Sequence, residues 1–343
     1  MDTTLQENAF GQRIALITDS CADVPADEVK AHGIIVVPLA INYSDASYRD
    51  GVDITPDEVY ARFAEEIPKT SLPAPAEVAA AFDGAIAAGA THILAVTIAS
   101  GLSGTHDLIR SVAAGYAGVT CEVVDTKSIG LGAGISVLAA AELIDRGLEF
   151  SEVLKGVHAA IADTSVFFCV DTLEYLYKGG RIGKVTYSVG SAFDIRPVVT
   201  CEREAGIYVT AGKAHGRKAS LKKAKSLALK ALNDVRGDSG RRYRFAVVHG
   251  GAEAEAKALY DELAAACPDA DRPLFGQITP ALVVHTGPGF GLISHRILRP
   301  ACLTGAPPLR SEAPSPCRCA MLTRIAHSGT SPARRLSACA RAV

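Results

Sequence analysis

The sequence predicts an α/β protein with two domains, on three observations. Short aliphatic runs alternate with helical patterns along most of the chain, which is typical of right-handed βαβ units. The length of 343 residues suffices for two domains of ordinary size. Hydrophobic residues make up 48% and charged residues 21% of the chain, a balance that favours folded cores over disorder.

The predicted elements follow one another in a regular order. Strand-like runs cover residues 13–18, 34–41, 92–97, 121–124, 166–170, 196–201, 207–212, 245–249 and 281–285. Helical patterns cover residues 56–65, 76–88, 104–114, 129–146, 151–162, 221–235 and 253–266. Two helical patterns follow each other near residue 150, and the pattern after them favours a mixed strand order. We therefore predict an N-terminal α/β domain over residues 1–160, with a largely parallel sheet and flanking helices, and a mixed α/β domain over residues 161–295.

The last 48 residues differ from the rest of the chain in composition. They contain eight Arg, no Lys, a single acidic residue and no aromatic residue, and they hold four of the nine Cys. Such a segment has too few large apolar side chains to offset the entropy cost of ordering its backbone. We therefore predict that residues 296–343 are a disordered tail. Their bias fits either a native extension or translation in another reading frame.

Charge and apolar patterns exclude several classes of function. Thirty-five basic and 37 acidic residues leave a formal net charge of −2, so the composition gives no electrostatic reason to expect nucleic-acid binding. No apolar run reaches the ~18 residues of a membrane span, and no signal-peptide pattern opens the chain. The cysteines lack a zinc-ligand spacing, and those before residue 296 are expected to be buried free thiols. We expect a cytoplasmic protein without a membrane span or a metal site.

A loop with two prolines is the first candidate for chemistry. Pro73 and Pro75 keep the residues before them out of the helical region, so the hydroxyls of Thr70 and Ser71 are held in an extended loop as possible hydrogen-bond donors. The alternative is a polar loop that only caps the following helix.

A glycine-rich turn after the strand at 92–97 is the second candidate. Gly101 lets the backbone approach a ligand closely, and the free N–H groups at the start of the next helix attract a carboxylate or phosphate beside Ser100. The alternative is an ordinary capped turn. The Lys of a nucleotide-binding Walker motif is absent, and Ser103 is not part of a nucleophile elbow.

Two further side chains stand next to glycine turns. Arg181 follows Gly179-Gly180 at a predicted exposed turn, where it is either a solvated charge or a contact for a partner's acid or phosphate. His285 precedes a rigid Gly-Pro-Gly turn, which makes it a better functional candidate than His249. Without a convincing set of nucleophile, base and orienting group, these residues favour binding of a small anion over covalent catalysis.

Six motifs together resemble the DegV family of bacterial fatty-acid-binding proteins. They are ITDSCADVP (17–25), TSLPAP (70–75), SGLSGT (100–105), VDTLEYLYKGGRIG (170–183), IRPVV (195–199) and HTGPGFG (285–291). The resemblance implies a two-domain α/β fold that buries one long-chain fatty acid in a tunnel between the domains. It also implies a fatty-acid kinase as the partner protein, which makes an acyl phosphate from the presented carboxylate.

The resemblance also assigns roles to single residues. The positions that it implies around the carboxylate are Thr70, Ser71, Ser100, Gly101, Arg217 and His285. Arg181 is the implied contact for the kinase. The bound fatty acid is the ligand, no cofactor is expected, and catalysis is expected in the kinase. The alternative is a stand-alone hydrolase or transferase that acts on a small acyl or anionic substrate through Ser100 or Ser103.

Overall fold

The computed structural model describes residues 5–185, 194–236 and 243–297, in which helices and strands alternate. The strands are β1 (Ile14–Asp19), β2 (Ile35–Val37), β3 (Ala40–Asn42), β4 (Ser47–Arg49), β5 (Lys69–Ser71), β6 (His92–Thr97), β7 (Thr120–Asp125), β8 (Ser165–Cys169), β9 (Ile195–Cys201), β10 (Tyr208–His215), β11 (Tyr243–Gly250), β12 (Leu274–Gln277) and β13 (Phe290–Ile297). The α-helices are α1 (Ala26–Ala31), α2 (Pro56–Arg62), α3 (Pro75–Ala87), α4 (Thr105–Ala113), α5 (Leu131–Asp145), α6 (Phe150–Asp163), α7 (Glu174–Lys178), α8 (Arg217–Arg236), α9 (Glu253–Ala266) and α10 (Pro280–Thr286). A short 3-10 turn, Ser20–Ala22, follows β1.

The N-terminal sheet is parallel, in the order β2-β1-β6-β7. Both of its faces are covered, so neighbouring residues of one strand are buried on opposite sides. Ile17 of β1 packs with Phe82 of α3, whereas Leu16 belongs to the core that contains Leu131 of α5. A separate antiparallel sheet, in the order β4-β3-β5, carries the loop region around residue 70.

The second large sheet is mixed, in the order β10-β9-β8-β13-β11-β12. Its strands pair antiparallel except for the parallel pair of β11 and β12. One face packs against α8 and α9, and the other packs against α5 and α6. The predicted fold class, with a parallel N-terminal sheet and a mixed C-terminal sheet, is confirmed.

Helix α5 lies between the two large sheets. Every residue from Leu131 to Ala141 is buried, because the helix contacts β1 and β6 on one side and β11 and β13 on another. A helix that is apolar all round belongs in a core. The last strand of the parallel sheet ends at Asp125 and the mixed sheet begins at Ser165, on either side of the boundary expected near residue 160. That boundary stays a prediction.

Two predicted strands were wrong. The run 34–41 is split at Pro38 into β2 and β3, which belong to different sheets, because proline has no N–H for a strand ladder. The run 281–285 lies in helix α10, since Pro280 provides a helical first position and a short, fully buried apolar run has no period that separates strand from helix.

The predicted tail lies almost wholly outside the described residues. Its first two positions, Arg296 and Ile297, are the end of β13, where they pair with β11. Residues 298–343 are outside the described part of the chain. Among the residues that are described, no helix is long and apolar enough to cross a membrane.

Candidate ligand-binding cleft

A cleft opens where β5, α10, the loop after β6 and the segment after α7 meet. It encloses about 430 Å³ of space between protein atoms, part of it open to solvent. Most of the lining side chains are apolar or weakly polar: Cys21, Leu39, Ile98, Leu102, Ile129, Tyr208, Ala281 and Leu282. The strongly polar ones are Thr70, Ser103, Arg181, His285 and Thr286.

A hydrogen bond between Thr70 and His285 joins two walls of the cleft. The Oγ1 atom of Thr70 lies 2.7 Å from Nε2 of His285. Successive side chains of a strand point to opposite faces, so Ser71 turns away from the cleft and accepts a hydrogen bond from Nδ2 of Asn42 at 3.0 Å. Thr70 therefore lines the cleft, and its neighbour Ser71 does not.

His285 is held as a neutral imidazole. Burial lowers its pKa to about 4, and the positive charge of Arg181 acts in the same direction. Gly179 packs against the ring so closely that a Cβ there would overlap Nδ1. Nδ1 is buried, and within the described ranges no partner hydrogen-bonds it. The neutral ring therefore carries one N–H group, which can donate a hydrogen bond to Oγ1 of Thr70.

Arg181 lines the cleft instead of standing at an exposed turn. Gly180, with φ +69°, reverses the chain after α7, and the Arg181 side chain then reaches back across the cleft. Its Nη1 donates to the carbonyl of Gly179 at 2.7 Å and its Nε donates to the carbonyl of Leu102 at 3.3 Å. In the part of the chain that the structure describes, no carboxylate pairs with this guanidinium. Arg181 thus keeps a positive charge beside the Thr70–His285 pair.

The serine and glycine of the loop after β6 do not line the cleft together with Thr70. The Oγ of Ser100 accepts a hydrogen bond from Nζ of Lys127 at 3.1 Å. A Cβ at Gly101 would overlap the carbonyl oxygen of Ala205, so this glycine is needed for packing against the protein itself. Ser103 does line the cleft, with its Oγ 2.8 Å from Oγ1 of Thr105 in the first turn of α4.

Arg217 also lies outside the cleft lining, in a charged cluster. Its guanidinium pairs with the carboxylates of Asp171 and Glu255 and donates to the carbonyl of Gly289. Two carboxylates balance its charge, so the side chain ties the start of α8 to α9 and to the turn after α10. Arg217 is therefore a link between segments of the protein and is not among the residues that line the cleft.

Neither candidate serine has the partners of a nucleophile. Nζ of Lys127 forms an ion pair with Oδ2 of Asp125 at 2.8 Å, and the same Nζ is the donor to Oγ of Ser100. Throughout the described ranges, neither Ser100 nor Ser103 hydrogen-bonds a histidine. The cleft holds donors that can bind and orient an anion, and among the described residues no nucleophile, base and orienting acid come together there.

Three buried carboxyls near Cys21, those of Asp19, Asp23 and Asp50, were not predicted as site residues from the sequence. Asp19 accepts hydrogen bonds from the N–H groups of Cys21 at 3.1 Å and Ile98 at 2.9 Å. Burial raises the pKa of Asp19 to about 7 and that of Asp50 to about 6, and it raises the pKa of Asp23 well above its usual range. Asp19 and Asp23 lie in the motif at residues 17–25, but a polar residue directly after a strand is common and does not by itself mark a site. Asp50 lies outside all of the motifs.

Comparison with known proteins gives the same family as the six motifs. Residues 13–295 match the sequence model of the DegV family, which is described as a family of uncharacterised proteins. A DegV domain-containing protein of Clostridium acetobutylicum is 37% identical over 278 residues, which is 81% of this chain and 96% of that protein.

Two solved structures are similar over nearly their whole length. A fatty-acid-binding DegV family protein of Thermus thermophilus is 35% identical, with a TM-score of 0.75 over 83% of this chain and 99% of the other. A stearic-acid-binding protein of Eubacterium ventriosum is 25% identical, with a TM-score of 0.74 over 83% of this chain and 98% of the other. The family match covers most of the chain, including every residue that lines the cleft, and the chain belongs to the DegV family.

Proposed function

We propose that this protein binds one long-chain fatty acid in the cleft, with the carboxylate at Thr70, His285 and Arg181. One observation carries the proposal: a Thr–His pair and an arginine share a cleft whose other walls are mostly apolar. No carboxylate of the described residues pairs with that arginine. The relatives from Thermus thermophilus and Eubacterium ventriosum, which bind fatty acids, support the same ligand class.

The polar groups suit a carboxylate in particular. When Nε2 of His285 donates to Oγ1 of Thr70, the threonine hydroxyl is free to donate its own proton to the ligand. Arg181 supplies the positive charge, and hydrogen bonds to charged groups contribute about 1.5–3 kcal/mol each. Because His285 is neutral, it fixes the direction of the threonine proton without adding a second charge.

The apolar walls suit an acyl chain. Each methylene group that leaves water contributes about 0.8 kcal/mol, so most of the affinity comes from the chain and the head group sets orientation. The stearic acid bound by the relative from Eubacterium ventriosum supports a long chain. The other predicted site residues, Ser71, Ser100, Gly101 and Arg217, are proposed to shape the walls from behind.

We further propose that a separate fatty-acid kinase receives the presented carboxylate, as the family resemblance implies. The side chain of Leu72 is 41% exposed and that of Tyr177 is 58% exposed. They lie two residues from Thr70 and four residues from Arg181 along the chain, and such aromatic and aliphatic side chains suit a protein partner. In this scheme Arg181 binds the ligand, and the surface beside it contacts the kinase. Catalysis takes place in the partner.

The experiment is a mass measurement of lipid released from the purified, gently denatured protein. About one fatty acid per chain is expected. Thr70→Val should release several-fold less, because it removes one neutral hydrogen bond of about 0.5–1.5 kcal/mol and the partner of His285. Thr91→Val is the matched control, since Thr91 also bonds a histidine, His92, at 2.8 Å, but outside the cleft.

Two outcomes would contradict the proposal. Protein that carries no fatty acid, and takes none up from solution, would exclude fatty-acid binding. Equal lipid in the Thr70→Val and Thr91→Val variants would exclude the assigned position of the carboxylate. A chain that instead consumes acyl esters without a partner, and loses this activity in Ser103→Ala, would favour the stand-alone enzyme.

A further inference from the structure

The first turn of α10 is held by two carboxylates from a distant part of the chain. The N–H of Thr279 donates to Oδ1 of Asp23 at 2.9 Å, and the N–H of Ala281 donates to Oδ1 of Asp50 at 2.8 Å. Pro280 between them has no N–H, and the Thr279 side chain does not cap the helix itself. These free donors of the helix start are therefore satisfied from the N-terminal part of the fold.

Both carboxylates are themselves fixed in place. Asp23 follows the 3-10 turn with φ +52°, a left-handed conformation that aspartate adopts more readily than most residues, and its N–H closes the turn onto the carbonyl of Ser20. Asp50 donates its N–H to the carbonyl of Leu39 at 2.8 Å. Its carboxyl also hydrogen-bonds the hydroxyl of Ser20. The 3-10 turn and the residue after β4 thus form one rigid anchor.

What these carboxylates hold is a wall of the cleft. Helix α10 has seven residues and supplies Ala281, Leu282, His285 and Thr286 to the lining. A helix of two turns has little stability of its own, so its direction depends on how its ends are held. A small rotation at Ala281 would move the His285 ring away from its 2.7 Å contact with Thr70.

Capping the helix with two buried carboxylates lowers the stability of the fold. Burial raises the pKa of both Asp23 and Asp50, because each carboxylate loses its contact with water. Buried groups of this kind reduce stability. A serine or asparagine next to the helix would cap it at less cost. Two buried carboxylates thus hold a helix start that a single neutral side chain could cap.

We propose that Asp23 and Asp50 are positioning residues of the carboxylate site, which act by fixing the start of α10 and thereby the place of His285. The inference rests on the proposed fatty-acid binding for its consequence, but the positioning itself can be measured without a ligand. Neither aspartate lines the cleft, so neither is expected to contact the fatty acid.

The first test is an NMR titration of the histidine rings in ligand-free protein, with His285 assigned by its loss in His285→Gln. In the unsubstituted protein the His285 midpoint is expected near pH 4. In the double variant Asp23→Ala/Asp50→Ala, a loosened α10 exposes the ring, and the midpoint should rise by about one pH unit or more. The double variant Asp23→Asn/Asp50→Asn keeps an acceptor oxygen at each position and should keep the low midpoint.

The control is Asp53→Ala, which removes a nearby aspartate that is exposed and pairs with Arg49. If the double alanine variant does not fold, each single alanine variant still removes one of the two contacts to α10 and gives the same reading. A His285 midpoint that stays near pH 4 in the folded alanine variants would overturn the proposal.

The second test compares two ligands that differ only at the head group, stearate and methyl stearate. The alanine variants should lose at least about tenfold in affinity for stearate and less than about threefold for the ester. Equal losses for both ligands would show a collapsed cleft and overturn the proposal. If the unsubstituted protein does not bind stearate but the His285 midpoint shifts as expected, the proposed function is wrong and the positioning of His285 stands.

Discussion

The cleft and the charged cluster around Arg217 each contain an arginine, but the two arginines have opposite kinds of partner. In the cleft, Arg181 donates to backbone carbonyls, and among the residues described no carboxylate pairs with it. In the cluster, Arg217 pairs with Asp171 and Glu255. An arginine whose charge is already balanced holds protein segments together, whereas one that meets only carbonyls can still bind an anion. The partners of each arginine distinguish the two roles, and neighbouring sequence does not.

The largest expected effect is a pH dependence of the free energy of unfolding, which comes from the neutral His285 in the cleft. Its pKa is 6.5 in the unfolded chain and about 4 in the fold, so the unfolded chain binds more protons between these values. The stability that depends on neutral His285 is complete above pH 6.5 and is lost as the pH falls towards 4, by up to about 3 kcal/mol.

Denaturant unfolding of the unsubstituted protein and of His285→Gln at several pH values measures this effect. The difference in unfolding free energy between the two should shrink as the pH falls from 6.5 to 4. The buried aspartates act in the opposite sense, because their raised pKa values make the fold the better proton binder, but they are common to both proteins. A difference that is constant with pH would contradict the neutral state of His285.

The two arginines give the next effect. Arg181→Gln should weaken fatty-acid binding about tenfold or more, because it removes the charge that faces the carboxylate. Arg217→Gln should change the affinity by less than about threefold and lower the melting temperature by a few degrees, since Glu255 loses its partner and Asp171 keeps only Arg196. Titration with a fatty acid and thermal unfolding measure the two properties. An Arg181→Gln protein that keeps its lipid but fails with the kinase would assign Arg181 to docking.

A smaller effect is expected at the glycine that packs on His285. The Cβ of Gly179→Ala would overlap Nδ1 of the ring, so the ring must shift and fatty-acid affinity should fall several-fold, on the order of 1 kcal/mol. Gly84→Ala is the matched control, because nothing lies within 4 Å of a Cβ at that helical position. Equal binding by the two variants would mean that the His285 ring has room to move.

The smallest effect is expected at Ser100. Its hydroxyl accepts from Lys127 outside the cleft lining, so Ser100→Ala should change fatty-acid affinity by less than about twofold. The lipid content of the purified variant measures this. A large loss would return Ser100 to the carboxylate site that the family resemblance implies.

The sequence predicted the architecture well because periodic patterns report burial. Helix α9 has the predicted bounds, and most other helices differ by a few residues. Patterns failed at the short strands β5 and β12, which have three and four residues, and also at the eight-residue strand β13; none of the three was predicted. The run at 281–285 became a helix because Pro280 and two distant carboxylates begin one there, and only the first of these is visible locally.

The candidate site was predicted in part for a similar reason. Thr70 and His285 were both named, and the structure joins them. Ser71 was named with Thr70, but strand alternation, which a loop prediction does not contain, turns it away. Whether Arg181 or Arg217 is neutralised depends on residues far along the chain, such as Glu255. Long-range pairing of this kind is set by the fold and leaves no local pattern.

Helix α5 also determines how the protein unfolds. Both large sheets cover it, so neither sheet can melt without uncovering residues from Leu131 to Ala141 that the other sheet shares. The described part of the chain should therefore lose its structure in one cooperative transition, with equal calorimetric and van't Hoff enthalpies. A piece cut at residue 160 would carry α5 with one apolar side bare and would aggregate. The boundary predicted near residue 160 lies between β7 of the parallel sheet and β8 of the mixed sheet, and we expect that the protein cannot be divided there.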